Sequence, residues 1–315
     1  MSTLFTVAKK ELQDYFNGWR CVLTFLLIIA SIVYAFFAIG SMKNTMTGAI
    51  PTTGTYISLS VFTTQAFNIS TSLIPTNVLS LLAILVPIMG IILGMDAING
   101  EKNNGTLSRL ISQPIYRDNI INAKFLSGIT VIAITLTSTT LLVMGLGLLK
   151  LGVPPSSEEI LRLLIFLVFG IIYGGFWLGL AILFSTLFRQ VALSAIITIA
   201  IWIFFAFFFP LIYQSISANI QNVADAQRTV AVARISPMYL FNEAMAVILY
   251  PQTRSVSQIL MLISTDASNY LLVTPLSVWQ SFIAVWPQII VTAFLTIICF
   301  VGSYLKFMFE EIRSI

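Results

Sequence analysis

Six stretches of this chain run for about 20 residues or more with almost no charge, and they limit the fold more than any motif does. An apolar segment of about 20 residues crosses the hydrocarbon layer as a helix. In that layer only helices and closed barrels satisfy every backbone polar group. The runs fall at about 21–41, 77–98, 123–149, 161–187, 191–213 and 284–306. The expected fold is therefore an all-α polytopic membrane protein with six transmembrane helices, a single transmembrane domain over 1–315. Composition agrees, with 58% hydrophobic and only 9% charged residues, against roughly 25% charged in soluble domains.

The same composition removes whole classes of function. The chain has no histidine, which excludes zinc-protease motifs and histidine acid–base chemistry. Its net charge of +4 is spread without a dense Lys/Arg block, so nucleic acid is not an expected partner. Cys21 and Cys299 fall at or inside spans and read as small apolar fillers rather than a disulfide. No metal or cofactor is expected. No Gly-x-x-x-x-Gly-Lys-Ser/Thr segment occurs, so any ATP hydrolysis belongs to another polypeptide and the chain is not expected to be an enzyme.

Charge also sets an expected orientation. An even number of spans puts both termini on one side. Placing them in the cytosol gathers Lys9, Lys10, Arg20, Lys102, Arg109, Arg117, Lys124, Arg189, Lys306 and Arg313 inside, ten of the 16 basic residues. The positive-inside rule selects that arrangement at the cell membrane. Residues 1–20 set Val7, Leu12 and Phe16 against Lys9, Lys10, Glu11 and Asp14. They read as an amphipathic helix in the headgroup layer and not as a cleavable signal. Residues 42–76 read as a loop with some extended structure, and Asn68-Ile-Ser70 as a chance match to a glycosylation sequon. Residues 214–283 read as an external helical loop of short helices on the outer membrane face. Within it Asp225 and Arg228 are spaced for a helical pair, and Leu240, Ala244 and Val247 form an apolar stripe.

One charged island stands between the second and third runs, residues 101–117. Gly105 can end the preceding helix and Thr106 can cap a new one. Leu107, Leu110 and Ile111 then share one face. Pro114 pushes Gln113 out of the helical region and stops the element. A helix this short is marginal alone in water, so it needs a partner surface. Asp118 is expected to N-cap the third span, with Lys124 one to two turns inside it. Glu101 closes the second span and is expected to pair with Arg109 or with a partner residue.

The order Glu101-x-x-x-Gly105-Thr106-Leu107, then Pro114, then Arg117, resembles the coupling-helix region of ABC-2 type exporter permeases. Lys9, Lys10 and Glu11 resemble that family's N-terminal elbow helix. Leu183-Phe184-Ser185-Thr186-Leu187-Phe188-Arg189 resembles the inner end of its fourth span, and Ser236-Pro237 with Tyr239, Phe241 and Glu243 a recurring pattern after the fifth. The resemblance implies a permease subunit of an ATP-driven exporter. It further implies two copies of a separate ABC ATPase subunit and a second permease subunit, as a homodimer or homologous pair. Glu101, Gly105, Thr106, Leu107, Arg109, Leu110, Ile111, Pro114 and Arg117 are the ATPase-coupling residues it implies. The alternatives are a secondary transporter or channel, against which nearly charge-free span centres count, and a non-transporting sensor or assembly subunit.

Two further patterns leave alternatives open. Phe204, Phe205, Phe207, Phe208 and Phe209 precede Pro210 and suit either an apolar cargo route or packing and lipid contact. Gly90/Gly94, Gly170/Gly174 and Gly175/Gly179 sit four apart, which suits close helix approach.

Overall fold

The computed structural model describes residues 3–46, 78–106, 116–152, 154–217, 223–249 and 276–309. They are helical nearly throughout, with no strand among the described residues. In chain order the helices are α1 (Thr3–Asn17), α2 (Trp19–Met46), α3 (Val78–Gly94), α4 (Asn99–Asn103), α5 (Arg117–Leu151) and α6 (Ser157–Leu187). After these come α7 (Val191–Ile203), a π-helical turn (Phe204–Phe208), α8 (Phe209–Ser217), α9 (Val223–Ala233), α10 (Pro237–Leu249) and α11 (Val278–Phe309). Among the described residues six helical stretches are long and apolar enough to cross a membrane: Trp19–Phe37, Val78–Asn103, Arg117–Lys150, Ser157–Leu187, Val191–Tyr213 and Val278–Phe309. The six expected spans are all present.

Several of these helices extend past the apolar runs, and the reason is local. α6 begins at Ser157 because Ser156 and Glu159 form a reciprocal capping box, which satisfies two of the otherwise free amides of the first turn. α5 begins at Arg117 with Tyr116 as its N-cap residue and no side-chain cap. Asp118 is therefore not the cap. It lies inside the first turn and accepts from the Asn119 amide (2.9 Å), still placing its charge against the positive end of the helix. In the fifth span the π turn lies just before Pro210, a residue with no N–H to donate to the carbonyl four back.

α6 is the central post. It packs against α3, α5, α7, α10 and α11, and Phe166, Phe169, Tyr173 and Trp177 are fully buried along it. Against α3 the approach is made at glycines. A Cβ on Gly90 would lie 2.9 Å from the Gly174 carbonyl oxygen, and one on Gly94 2.7 Å from Ala181 Cβ. Glycine there lets the two backbones touch, as its spacing suggested. The buried Tyr173 hydroxyl donates across the same interface to the Ala83 carbonyl (3.1 Å). The fifth span, by contrast, is little buried, with Phe204 and Phe208 exposed and Phe209 buried.

The loop after the fifth span departs from expectation. Its short helices exist, but α10 does not rest on a surface. It is buried along most of its length between α3, α6 and α11, and Phe241 stacks on Tyr173 (4.3 Å, 14°). Gln227–Ala233 and Pro237–Leu249 meet at a 116° bend, the geometry of a broken or re-entrant span. A 13-residue helix with one charged residue, Glu243, is too apolar to sit on a wet face and is stable only inside the bundle.

Candidate functional site

The polar groups on which coupling would depend gather where α1, α3, α4, α5 and α6 meet. α3 ends at Gly94, the chain turns through 95–98, and α4 begins. Such a break leaves amides without intrahelical acceptors. Here the amides of Ile98 and Asn99 donate to the Ser185 hydroxyl oxygen of α6 (3.0 and 3.2 Å). That hydroxyl donates in turn to Asn99 Oδ1 (3.0 Å). Ser185 and Asn99 are both fully buried, so one side chain from the central post seals the break and fixes the start of α4.

α4 is clamped from its other side by charge. Lys124 of α5 donates to Glu101 Oε1 of α4 (2.6 Å) and to Glu11 Oε1 of α1 (2.9 Å). The lysine side chain is only 5% exposed, its two partners 20% and 22%. One ammonium thus ties three helices, and each carboxylate keeps some contact with water. Beside it, Arg20 of α2 pairs with Asp96 in the turn before α4. A cavity of about 330 Å³ lies between these groups, lined by Glu11, Asp14, Asp96, Glu101 and Lys124 among others. Tyr15 borders it and donates to Thr24 Oγ1 (2.8 Å), which passes the bond to the Cys21 carbonyl (2.8 Å). Burial pushes the Tyr15 phenol up from its ordinary range, so it stays a neutral donor at physiological pH.

Of the residues expected to couple, Glu101 pairs with Lys124, 23 positions along the chain, where α5 returns beside α4; Arg109, the partner expected for it, lies outside the described residues. Gly105 has φ +68°, a conformation open to glycine at no steric cost, and it follows the end of α4. Thr106 donates back to the Glu101 carbonyl (3.2 Å). Arg117 is the first residue of α5 and half-buried. Leu107, Arg109, Leu110, Ile111 and Pro114 lie outside the described residues, and with them the capping role expected of Thr106. α1 is a helix whose Val7 and Ala8 pack with Ala123 of α5. Its apolar side is thus shared between the bundle and exposed Phe5 and Phe16.

Three of these contacts escaped the sequence reading. A lysine two turns inside an apolar span signals a buried partner, which would have flagged Lys124. Ser185 stood in a recognised pattern, but nothing in one sequence says which backbone amides a hydroxyl will meet. The Glu11 contact depends on how α1 folds back across α5, which is a tertiary matter.

The described residues thus form a helical polytopic membrane protein with six candidate spans, the second ending in a short, polar-clamped helix. A family model described as ABC-2 family transporter protein matches residues 5–312, and the chain belongs to that family. It is similar to the probable ABC transporter permease protein NosY of Pseudomonas aeruginosa, at 25% identity over 218 residues, covering 67% of this chain and 70% of the relative. The protein of the same name from Stutzerimonas stutzeri is 23% identical over 219 residues, with the same coverage of 67% and 70%. The chain is thus a multi-pass membrane subunit of an ABC transporter. Its family is a permease family and not a catalytic one, and membership implies an ABC ATPase as partner.

Proposed function

We propose that this chain is the permease of an ATP-driven exporter, and that residues 101–117 carry the stroke of a separate ATPase into the spans. The assembly has two permease subunits and two ATPase subunits, with both termini and the 101–117 segment in the cytosol of a cell-membrane protein. The observation that supports this reading is the clamping of α4. A displacement imposed beyond Gly105 reaches α6 through Ser185, α5 through Lys124 and α1 through Glu11. It also reaches α3 directly along the chain. A solvated loop needs no such attachments.

The apolar face of Leu107, Leu110 and Ile111 seats in a groove on the ATPase, with Arg109 at its rim. Burying each leucine stabilises the contact by roughly 1.5–3 kcal/mol. Replacing both Leu107 and Leu110 by Asp removes that area and forces two carboxylates out of water. Co-purification of the double variant with its ATPase tests the reading. The expected outcome is loss of the ATPase while the permease still inserts. Full retention of both the ATPase and transport would reduce residues 106–112 to a connecting loop.

A further inference from the structure

The pair Arg234–Glu243 lies deep in the protein. Phe241, two residues before Glu243, stacks on Tyr173, which is about 16 residues past Ser157 and hence roughly 24 Å along α6. Near the start of α6, Arg162 donates to the Ile248 carbonyl (2.9 Å), so α10 runs antiparallel to α6 with its first residues innermost. Gln288, about ten residues or roughly 15 Å into α11, donates to Glu243 Oε2 (3.3 Å). The bend before α10 exceeds a right angle, at 116°, so α9 turns back toward the same end. Arg234, at that bend, therefore sits about 15–24 Å in from the ends of α6 and α11. Those helices have 31 and 32 residues and are roughly 46–48 Å long, which puts Arg234 inside a centred hydrocarbon layer about 30 Å thick rather than at its border.

Arg234 is not buried there. Glu243 is 2% exposed and accepts from Arg234 Nε (3.0 Å) and Nη2 (2.8 Å), while the arginine side chain remains 45% exposed. Those two bonds leave the Nη1 edge without a partner among the described residues. The exposed face of α9 continues from it at helical spacing through Ala231 to Arg228, which is 81% exposed, and Gln227. The exposed faces of the spans are of another kind: Phe25 and Phe37 on α2, Ile196 on α7, Phe294 and Ile297 on α11. Acyl chains cover such faces, but they cannot solvate a guanidinium.

We propose that the polar face of α9 lines a water-filled transport route, and that the Nη1 edge of Arg234 is a recognition point for cargo bearing an anionic group, a carboxylate or a phosphate. The planar fork of arginine suits both, and Glu243 holds it aimed outward while Gln288 steadies the carboxylate. Ile235, next to Arg234 in the chain and 64% exposed, fits a cargo whose acidic group is joined to an apolar body. This assignment rests on the chain being a transporter subunit, and it names the substrate class of that transporter.

Thiol labelling in lipid nanodiscs tests it, on the permease–ATPase complex without nucleotide. Cys21 and Cys299 are first replaced, and single cysteines placed at Ala231, at Lys10 as an exposed control and at Phe294 as a lipid-facing control. The probes are a sulfonate-bearing and a trimethylammonium-bearing methanethiosulfonate, each rate normalised to that with a free thiol. Ala231→Cys is expected to react at a rate comparable with Lys10→Cys, while Phe294→Cys stays inert. At Ala231→Cys the sulfonate reagent should be favoured by about tenfold. That preference should persist in Arg234→Lys and vanish when Arg234→Gln is combined with Glu243→Gln, a pair that leaves no buried charge behind. Inertness at Ala231→Cys, or a preference that is absent or survives the double Gln change, overturns the proposal. Failure of the coupling reading would appear as undiminished ATPase capture by the Leu107/Leu110 double variant, and would not alter these rates.

Discussion

The two ends of the bundle solve the same problem in opposite ways. Each must hold a short helix against the spans with polar side chains. At the α1 end the groups that hold α4 surround a cavity of about 330 Å³, and their carboxylates keep 20–22% exposure. At the other end Arg162 is fully buried and has no slack. It donates to the carbonyls of Ile248 (2.9 Å) and Leu276 (2.6 Å), to Ser281 Oγ (3.0 Å) and to Glu158 (3.2 Å). One guanidinium thereby joins the start of α6, the end of α10 and the start of α11. An end whose carboxylates are part-exposed around a cavity can change its spacing at smaller cost than one held by a fully buried guanidinium. Under the proposed coupling, the α1 end is the end at which a stroke enters and the Arg162 end the anchor it works against.

Breaking the anchor should have the largest effect. Arg162→Met keeps the length of the side chain but leaves two carbonyls and a hydroxyl without their donor, at a cost of about 3–5 kcal/mol. The variant is expected to lose most of its folded yield and to melt far below the parent in detergent. A melting temperature near the parent's would show that the two ends do not differ as described. Gly94→Val comes next. It drives side-chain atoms into Ala181 and the Leu178 carbonyl, an overpacking worth roughly 1–3 kcal/mol. It should lower the melting temperature less than Arg162→Met does, and a neutral result would mean that α3 and α6 separate easily.

Lys124→Met is expected to affect stability no more than Gly94→Val does and to have the most specific effect on mechanism. It removes the shared cation but leaves Glu11 and Glu101 beside a cavity that can hydrate them, a loss of roughly 1–3 kcal/mol. The ATPase should still bind, because the seat at Leu107 and Leu110 is untouched, but ATP hydrolysis should no longer respond to the permease. Hydrolysis rates with and without the variant permease measure this. An ATPase response equal to the parent's would remove Lys124 from the transmission route.

The sequence reading was strongest where one physical demand dominates. Apolar length defined six spans, glycine spacing marked faces suited to close approach without naming the partner helix, and Gly105 marked the end of the helix before it. It was weakest where polar groups meet across long chain distances. Arg162 falls inside the fourth apolar run with nothing beside it in sequence to name its distant partners, which are Ile248 of α10, Leu276 just before α11 and Ser281 within it. α10 looked like part of an outer loop because its surroundings in sequence are polar. Its composition held the opposite message, since Ala244 to Leu249 is wholly apolar and too short to span, the signature of a helix sunk into a core. Glu101 and Lys124 were both noted, but pairing them required the return of α5 beside α4.

The contrast between the ends is tested most directly by electron–electron distance measurements on spin labels in the permease–ATPase complex. One pair joins Asn104, exposed just past α4, to Ile160, exposed near the start of α6. The other joins Ile160 to Trp279, both exposed at the anchored end. On trapping with a non-hydrolysable ATP analogue, the Asn104–Ile160 distance should shift by on the order of 2 Å or more, with Ile160–Trp279 unchanged. A fixed Asn104–Ile160 distance, or an equal shift in both pairs, would contradict the assignment of one end as lever and the other as anchor.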